Sequence, residues 1–465
     1  MGMNGVNGMS DTIAAVATAM SNSGIGIVRI SGDEALAVAD RVFRGGRAAG
    51  KLSQADSHTI HYGSVWDGNE MVDEVLAMVM RGPRSYTAED TVELDCHGGA
   101  LVVRRVLETV LKNGARLAEP GEFTKRAFLN GRMDLAQAEA VMDVIDAKNQ
   151  YALKSSMSQL KGSVSEKVRE LREKIIYEIA FIESALDDPE HISLDGYGER
   201  LLAVIDPMID EVRKLCDSAD SGRVVKEGVK TVILGKPNAG KSSLMNVLAG
   251  EERAIVTDVA GTTRDILEEH IRLKGLSLNV VDTAGIRDTD DLVEKIGVDR
   301  AQNAAKEADL IIYVADGSRP LDENDRKIID FIKDRKAIVI LNKSDLQWVT
   351  SPEELGRETG HKVLPVSARE QEGIDELGRE ISEMFLSGQI DFNDQVVITN
   401  TRHKDALAQT LDSLIMVKKS IEDQMPEDFY SIDLMSAYEA LGTIIGESVE
   451  DDLVNEIFSR FCMGK

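Results

Sequence analysis

Eight residues in the middle of the chain, Gly235 to Ser242 in the order GKPNAGKS, have the types and spacing to hold a polyphosphate. They follow the apolar run TVIL, and GxxxxGK[ST] between a strand and a helix is the pattern of a phosphate-binding loop. Glycines let the backbone wrap round the phosphate oxygens, and the loop amides and the N-terminus of the next helix face those anions. Lys241 reaches the β- and γ-phosphates and Ser242 offers a hydroxyl to Mg2+. DTAG, Asp282 to Gly285, follows LNVV, so Asp282 can hold the metal from its second shell of ligands and the Gly285 amide can sense the γ-phosphate. NKSD, Asn342 to Asp345, follows AIVIL, and Asp345 can accept two hydrogen bonds from guanine N1 and N2, an arrangement adenine cannot satisfy. Lys343 can lie along the base, and SAR, Ser367 to Arg369, follows VLPV where a backbone amide can meet guanine O6.

GTTRD, Gly261 to Asp265, lies between the phosphate loop and DTAG, the position of switch I, with Thr263 favoured over Thr262 as the hydroxyl on Mg2+. Ile286 stands where Ras-type enzymes carry a water-orienting glutamine, so another group must place the water. Glu294, within DTDDLVEKIG, is one acid on that segment; a solvated helix face is the other reading of those residues. Four motifs in order at strand ends imply GTP as the ligand and its hydrolysis as the chemistry.

The elements that must position these groups are short, buried-looking strands between Lys230 and about Leu386, separated by helical segments, which predict a doubly wound parallel α/β domain. From about Thr12 to Asp146 strand-like IGIVRIS and EVLAMVM precede helical LVVRRVLETVLKNG, an α+β pattern. After Asp134 the pattern turns to long helices. Met157, Leu160, Val164, Val168, Leu171, Ile175, Ile179, Ile182 and Leu186 recur at helical spacing, predicting one extended amphipathic helix. Asp187 to Gly198 breaks it, a second helix runs from Glu199 to about Ser218 with a break at Pro207, and Asn400 to Asp423 and Ser431 to Arg460 are helical again. The simplest architecture is multidomain, with the α/β unit inserted in a helical domain: 1–130 N-terminal, 131–228 helical, 229–386 nucleotide-binding, 387–465 helical.

With 465 residues and 43% hydrophobic content the chain can build two to four cores. Its apolar stretches, such as Leu310 to Ala315, fall far below the roughly 20 residues that span a bilayer, so no membrane contact is expected. The start MGMNGVNGMSDT has no basic or apolar signal region, Met9 is an alternative start, and the cytoplasm is the expected compartment. Cys96, Cys216 and Cys462 form no CxxC pair, which fits a reducing compartment. The net charge of -27 argues against a general nucleic-acid coat, so any RNA contact must be local or shared with a partner. Arg104, Arg105, Lys112, Arg116, Lys125, Arg126 and Arg132 form either a local basic surface or a solvated helix face.

The blocks DTIAAVAT, GIVRISG, YTAEDTVELDCHGG, EPGEFTKRAFLNGRMDLAQAEAVMDVIDA, GKPNAGKSSLMN, AIVTDVAGTTRDIL, DTAGIRDTDDLVEKIG and the ending FCMGK resemble one family over nearly the whole chain, the tRNA modification GTPases called MnmE or TrmE. The N-terminal blocks and the Cys-x-Gly-Lys ending are specific to it. The resemblance implies a homodimer joined through a folate-binding-like N-terminal domain, with a Ras-like G domain that dimerises across its nucleotide sites and is activated by potassium. It implies a nucleotide set of Asn238, Ala239, Gly240, Lys241, Ser242, Ser243, Thr257, Asp258, Val259, Ala260, Gly261, Thr262, Thr263, Asp282, Thr283, Ala284, Gly285, Asn342, Lys343, Asp345, Ser367, Ala368 and Arg369. Mg2+ would sit on Ser242 and Thr263, and K+ on the Asn238 side chain with backbone at Thr257, Val259 and Thr262.

By the same matching, Glu294 orients the attacking water through a bridging water. Arg29, Glu93, Arg132 and Lys465 line the pocket for a tetrahydrofolate derivative, 5-formyl- or methylene-tetrahydrofolate. Cys462 is implied near that folate as a nucleophile or proton-transfer group, and Met463 and Arg132 stand where relatives carry isoleucine and, in some, lysine. The family works with the flavoprotein MnmG, which carries FAD, as a heterotetramer. Together they add a carboxymethylaminomethyl or aminomethyl group at C5 of the wobble uridine of certain tRNAs. The competing reading is a regulatory or ribosome-assembly GTPase switch, which shares the nucleotide motifs and has no need of the folate residues.

Overall fold

The structure is a computed structural model, and it describes residues 11–45, 50–251, 268–281, 305–386, 396–447, 449, 451–462 and 464. The chain divides into two compact units, Met1–Met142 with Gly442–Lys465, and Asp143–Leu441.

In the first unit, strands β1 (Ile13–Val16), β2 (Ile25–Ser31), β3 (Phe43–Gly45), β4 (Thr59–Asp67), β5 (Glu70–Met80), β6 (Thr91–His97) and β7 (Arg116–Leu117) form one sheet in the order β3-β4-β5-β6-β2-β1-β7. Alternation along the strands sends Val28, Ile30, Val75, Ala77, Val79, Val92 and Leu94 into one core, where they meet Val38, Val42, Val103, Val106 and Val110 of the helices Ala35–Val42 and Ala100–Lys112. The opposite parity gives the other face Arg29, directly across from Glu93, and places Asp95 across from Ile27 and Leu76.

A cluster of charges beside this sheet ties the helix Glu122–Leu129 to Asp11, just before β1. Arg126, about 1% exposed, donates to the Asp11 carboxylate at 2.7 Å, to Glu89 at 3.2 Å and to Glu122 at 2.9 Å, and Arg116 also grips Glu122. Burial alone would raise the Glu122 carboxyl, but Arg116, the Glu119 amide and Arg126 outweigh it and hold the group below the ordinary carboxylate range. A depressed folded value adds stability that is present above the unfolded value and is lost as pH falls through the folded one. Glu122→Gln is therefore expected to cost this unit about 3 kcal/mol at neutral pH and to flatten its acid sensitivity. Denaturant unfolding followed by Trp66 fluorescence in a Trp348→Phe background checks this; an undiminished loss of stability between pH 5 and pH 3 in the variant would contradict it.

The second unit carries the α/β sheet, with β8 (Val229–Leu234), β9 (Glu268–Leu273), β10 (Leu276–Val281), β11 (Leu310–Asp316), β12 (Ala337–Asn342) and β13 (Val363–Val366) in the order β13-β12-β11-β8-β10-β9. Neighbours from β13 through β10 run parallel and β9 joins β10 antiparallel. Ile233, Ile312, Val314 and Ile340 face one core while Val232, Ile311, Tyr313, Val339 and Leu341 face another, so the sheet is covered on both sides as its all-apolar strands require.

Two helical expectations are corrected. The stripe from Met157 to Leu186 is divided between Gln150–Leu160 and Ser163–Asp187, because Gly162 at φ +99° ends the first helix in the left-handed region. The next helix, Tyr197–Glu227, runs straight through Pro207. The proline points to solvent, where water can take the freed carbonyl, while Leu201, Ile205, Met208, Ile209 and Val212 bury the other face. Five buried apolar side chains at roughly 1.5–3 kcal/mol each exceed the ~3 kcal/mol cost of an interior proline. Among the described residues no helix is long and apolar enough to cross a membrane.

Candidate functional site

Parallel strands bring their C-terminal ends to one edge, and the loops leaving β8, β12 and β13 carry three of the four motifs there. After β8 the chain turns at Gly235, where a Cβ would collide with the Val314 carbonyl, and passes through Asn238 at φ +63° and Gly240 at φ +102° before the helix Lys241–Glu251 starts. Lys241 curls back over this loop, its ammonium donating to the carbonyls of Gly235 at 2.7 Å and Lys236 at 2.8 Å. Burial lowers its pKa, which marks a cation held in a partly dry cradle. Asn238, Ser242 and Ser243 stand exposed on the loop and first helical turn, while Ala239 is buried beneath them.

Asn342, 3% exposed, ties two loops together. Its Nδ2 donates to the Ala239 carbonyl at 2.8 Å and its Oδ1 accepts from the Ala368 amide at 3.1 Å. Ser367 donates its hydroxyl to Asp345 Oδ1 at 2.8 Å, so the carboxylate that would read guanine is held from behind. Lys343, in the left-handed region at φ +67°, pairs with Asp316 at 2.6 Å. Burial by itself raises Asp316, yet Lys343 and the Ser318 hydroxyl and amide keep it below its ordinary value. Arg369 is 82% exposed and lies beside Glu370. The structure thus brings Asn238, Ala239, Gly240, Lys241, Ser242, Ser243, Asn342, Lys343, Asp345, Ser367 and Ala368 to one edge. Thr257, Asp258, Val259, Ala260, Gly261, Thr262, Thr263, Asp282, Thr283, Ala284, Gly285 and Glu294 lie outside the described residues. Asp316, the partner of Lys343, escaped the sequence reading; its register opposite Asn342 at the end of β11 is the signal that finds it.

The first unit gathers a second set. Arg29 donates from Nε to Glu93 at 2.6 Å, and both side chains are under 15% exposed. Its guanidinium lies over the rings of Tyr86 and Phe123 and donates to the Gly464 carbonyl at 3.3 Å. Arg132 lies over the same Tyr86 ring at 4.9 Å and is exposed, with no ion pair among the described residues. Cys462 is exposed two residues before Gly464, while Lys465 lies outside the described residues. Two residues of this cluster were not found from sequence. Tyr86 joins both guanidiniums through contacts distant in the chain, and its hydroxyl meets Thr124 at 2.8 Å. Among the described residues Asp95 has a buried Oδ1 without a hydrogen-bond partner, and burial first, then Glu93, raises its pKa. Cys96, buried with its thiol pushed up to about 11, is inert by comparison.

The stretch read as a basic surface or solvated face is neither throughout. Arg105 pairs with Glu70 and Lys112 with Asp67 of the neighbouring strands, Arg116 pairs with Glu122 and Asp11, and Arg126 is buried against Asp11, Glu89 and Glu122.

Comparison with known proteins matches both units. The model of the GTP-binding protein TrmE N-terminus matches residues 12–132, and that of the MnmE helical domain matches residues 135–462. The tRNA modification GTPase MnmE of Lachnoclostridium phytofermentans is 60% identical over 456 residues, covering 98% of this chain and 100% of its own. Those of Clostridioides difficile and Alkaliphilus oremlandii are each 48% identical over 98% of this chain and all of theirs. With the guanine-nucleotide loops assembled at one sheet edge, the chain belongs to the tRNA modification GTPase MnmE family and is a GTP-hydrolysing enzyme of that family.

Proposed function

We propose that the protein acts in the cytoplasm with the flavoprotein MnmG to place a carboxymethylaminomethyl or aminomethyl group at C5 of the wobble uridine of certain tRNAs. It would do so as a homodimer within a heterotetramer, with GTP hydrolysis driving the conformational cycle. The observation that carries this reading is the cluster of Glu93, Arg29, Arg132 and Tyr86, for which a pure switch has no use. Its chemistry fits a tetrahydrofolate derivative. Arg29 is committed to Glu93 and the chain's tail, so it orients Glu93, whose carboxylate would accept from the pterin amino group and ring N–H. Arg132 remains open to a glutamate-tail carboxylate, with Lys465 as a second cation, and the orphaned Asp95 oxygen offers a further acceptor on the same sheet face. When bound, the folate supplies the one-carbon unit, and FAD sits on the partner. Cys462 would serve beside it as a nucleophile or proton-transfer group.

Titration calorimetry of the full-length protein with 5-formyltetrahydrofolate tests this. Saturable binding is expected, weakened about tenfold or more in Arg132→Ala with the melting temperature kept. No binding by the unaltered protein would move the regulatory-switch reading forward.

In the nucleotide site, Ser242 and Thr263 would hold Mg2+ and Asn238 with backbone at Thr257, Val259 and Thr262 would hold K+, with Glu294 placing the water. The exposed oxygens of Ser242 and Asn238 suit such hard cations. A bound monovalent cation offsets charge developing in phosphoryl transfer. Hydrolysis is expected to be much faster in KCl than in NaCl at equal ionic strength, with the difference lost in Asn238→Ala; equal rates in the two salts would remove potassium and the G-domain pairing it supports. The division into 1–130 folate-binding and dimerisation, 131–228 and 387–465 helical, and 229–386 G domain is part of the same proposal.

A further inference from the structure

Lys236 is an unspecified position of the phosphate-loop pattern, yet it is held more firmly than any motif requires. Its ammonium pairs with Asp325 at 2.6 Å and with Asp322 at 2.9 Å, and these two acids open the helix Glu323–Ile332 beyond the end of β11. Asp325 is 2% exposed. Its Oδ1 accepts from the fully buried Tyr313 hydroxyl at 2.9 Å, and its Oδ2 accepts from the Asp322 amide at 3.0 Å. Asp322 in turn caps the helix through the amides of Asn324 and Asp325. One buried carboxylate therefore joins a central strand, a helix N-terminus and the phosphate loop.

The other end of Lys236 is also engaged. Its carbonyl accepts from the Lys241 ammonium at 2.8 Å and from the Ala239 amide at 3.3 Å. Burial alone would lower the Lys236 pKa, and the two acids outweigh it, so the tether carries full charge at neutral pH. A buried carboxylate left without its cation is costly, which makes the pair resist displacement more than a surface ion pair would.

We propose that Asp325, acting through Lys236, is a positioning residue of the GTPase: it fixes the entry limb of the phosphate loop so that the loop carbonyls and amides around Lys241 stand where the phosphates bind. Because the tether acts through the loop backbone around Lys241, its loss acts on binding more than on the chemical step.

GTP hydrolysis against GTP concentration, with GDP affinity and melting temperature, is measured for full-length Lys236→Met, Lys236→Arg, Asp325→Asn and the double variant Lys236→Met with Asp325→Asn. Lys236→Met is expected to raise KM and weaken GDP binding about ten- to hundredfold with kcat held within about twofold, the scale of lost charge-assisted hydrogen bonds. Lys236→Arg, whose fork reaches both acids, is expected to restore KM. The double variant is expected to be no worse than the worse single one, since both remove the same pair. If Asp325→Asn fails to fold, Lys236→Met against Lys236→Arg decides alone. An unchanged KM in Lys236→Met, or a lowered melting temperature with KM not rescued by arginine, overturns the proposal.

Discussion

Asp345→Asn is expected to lower GTP affinity on the order of 10^4-fold while leaving the melting temperature near its original value. The carboxylate is the only group type at this position that accepts from guanine N1–H and N2–H together, and an amide turned to satisfy one would set a donor against the other. Ser367 holds Asp345 Oδ1 by its hydroxyl at 2.8 Å, so the acceptor cannot swing away to relieve the mismatch. Xanthosine triphosphate, which carries an oxygen in place of the N2 amine, is expected to bind the variant better than GTP does. Competition titrations with fluorescent nucleotides check both directions; retained preference for GTP would remove Asp345 from base recognition.

Gly240→Ala is expected to abolish measurable nucleotide binding and to destabilise the second unit by about 2–3 kcal/mol, the loss of one or two buried hydrogen bonds together with strain at a left-handed alanine. Gly240 has φ +102°, and an added Cβ would drive into Asn342 Nδ2. That amide is the link between the Ala239 carbonyl and the Ala368 amide, so one methyl group would uncouple the phosphate loop from the loop beside the base. Thermal melting and nucleotide titration of the variant report the two effects separately. Wild-type affinity would show that Asn342 moves aside freely and that the tie has no part in binding.

Sequence carried most of the central sheet because parallel strands buried on both faces read as unbroken apolar runs, as LIIYVAD and AIVILN do. The edge strand β9, EEHIRL, escaped it: among its described side chains Ile271 and Leu273 are buried, and the polar residues beside them read as a loop. Pro207 was read as a break because its local cost is visible in sequence and the compensating burial along the opposite helix face is not. The same limit governs the sites. Gly235 to Ser242, Asn342 to Asp345 and Ser367 to Arg369 are contiguous motifs and were legible, whereas Asp316 on Lys343, Asp325 on Lys236 and Tyr86 beneath two guanidiniums are pairings made only by folding. Arg29 and Glu93 were both legible as pocket residues, but their pairing with each other depends on the register of β2 against β6.

In the proposed function, GTP hydrolysis by this chain serves folate-dependent tRNA modification. The most direct test is nucleoside mass spectrometry of tRNA carrying an unmodified wobble uridine, after incubation with the full-length protein, MnmG, a tetrahydrofolate derivative and glycine or ammonium. The modified nucleoside is expected with GTP, and is expected to be absent with a non-hydrolysable GTP analogue or without folate. No modification in the complete mixture, or equal modification with the analogue, would contradict the account.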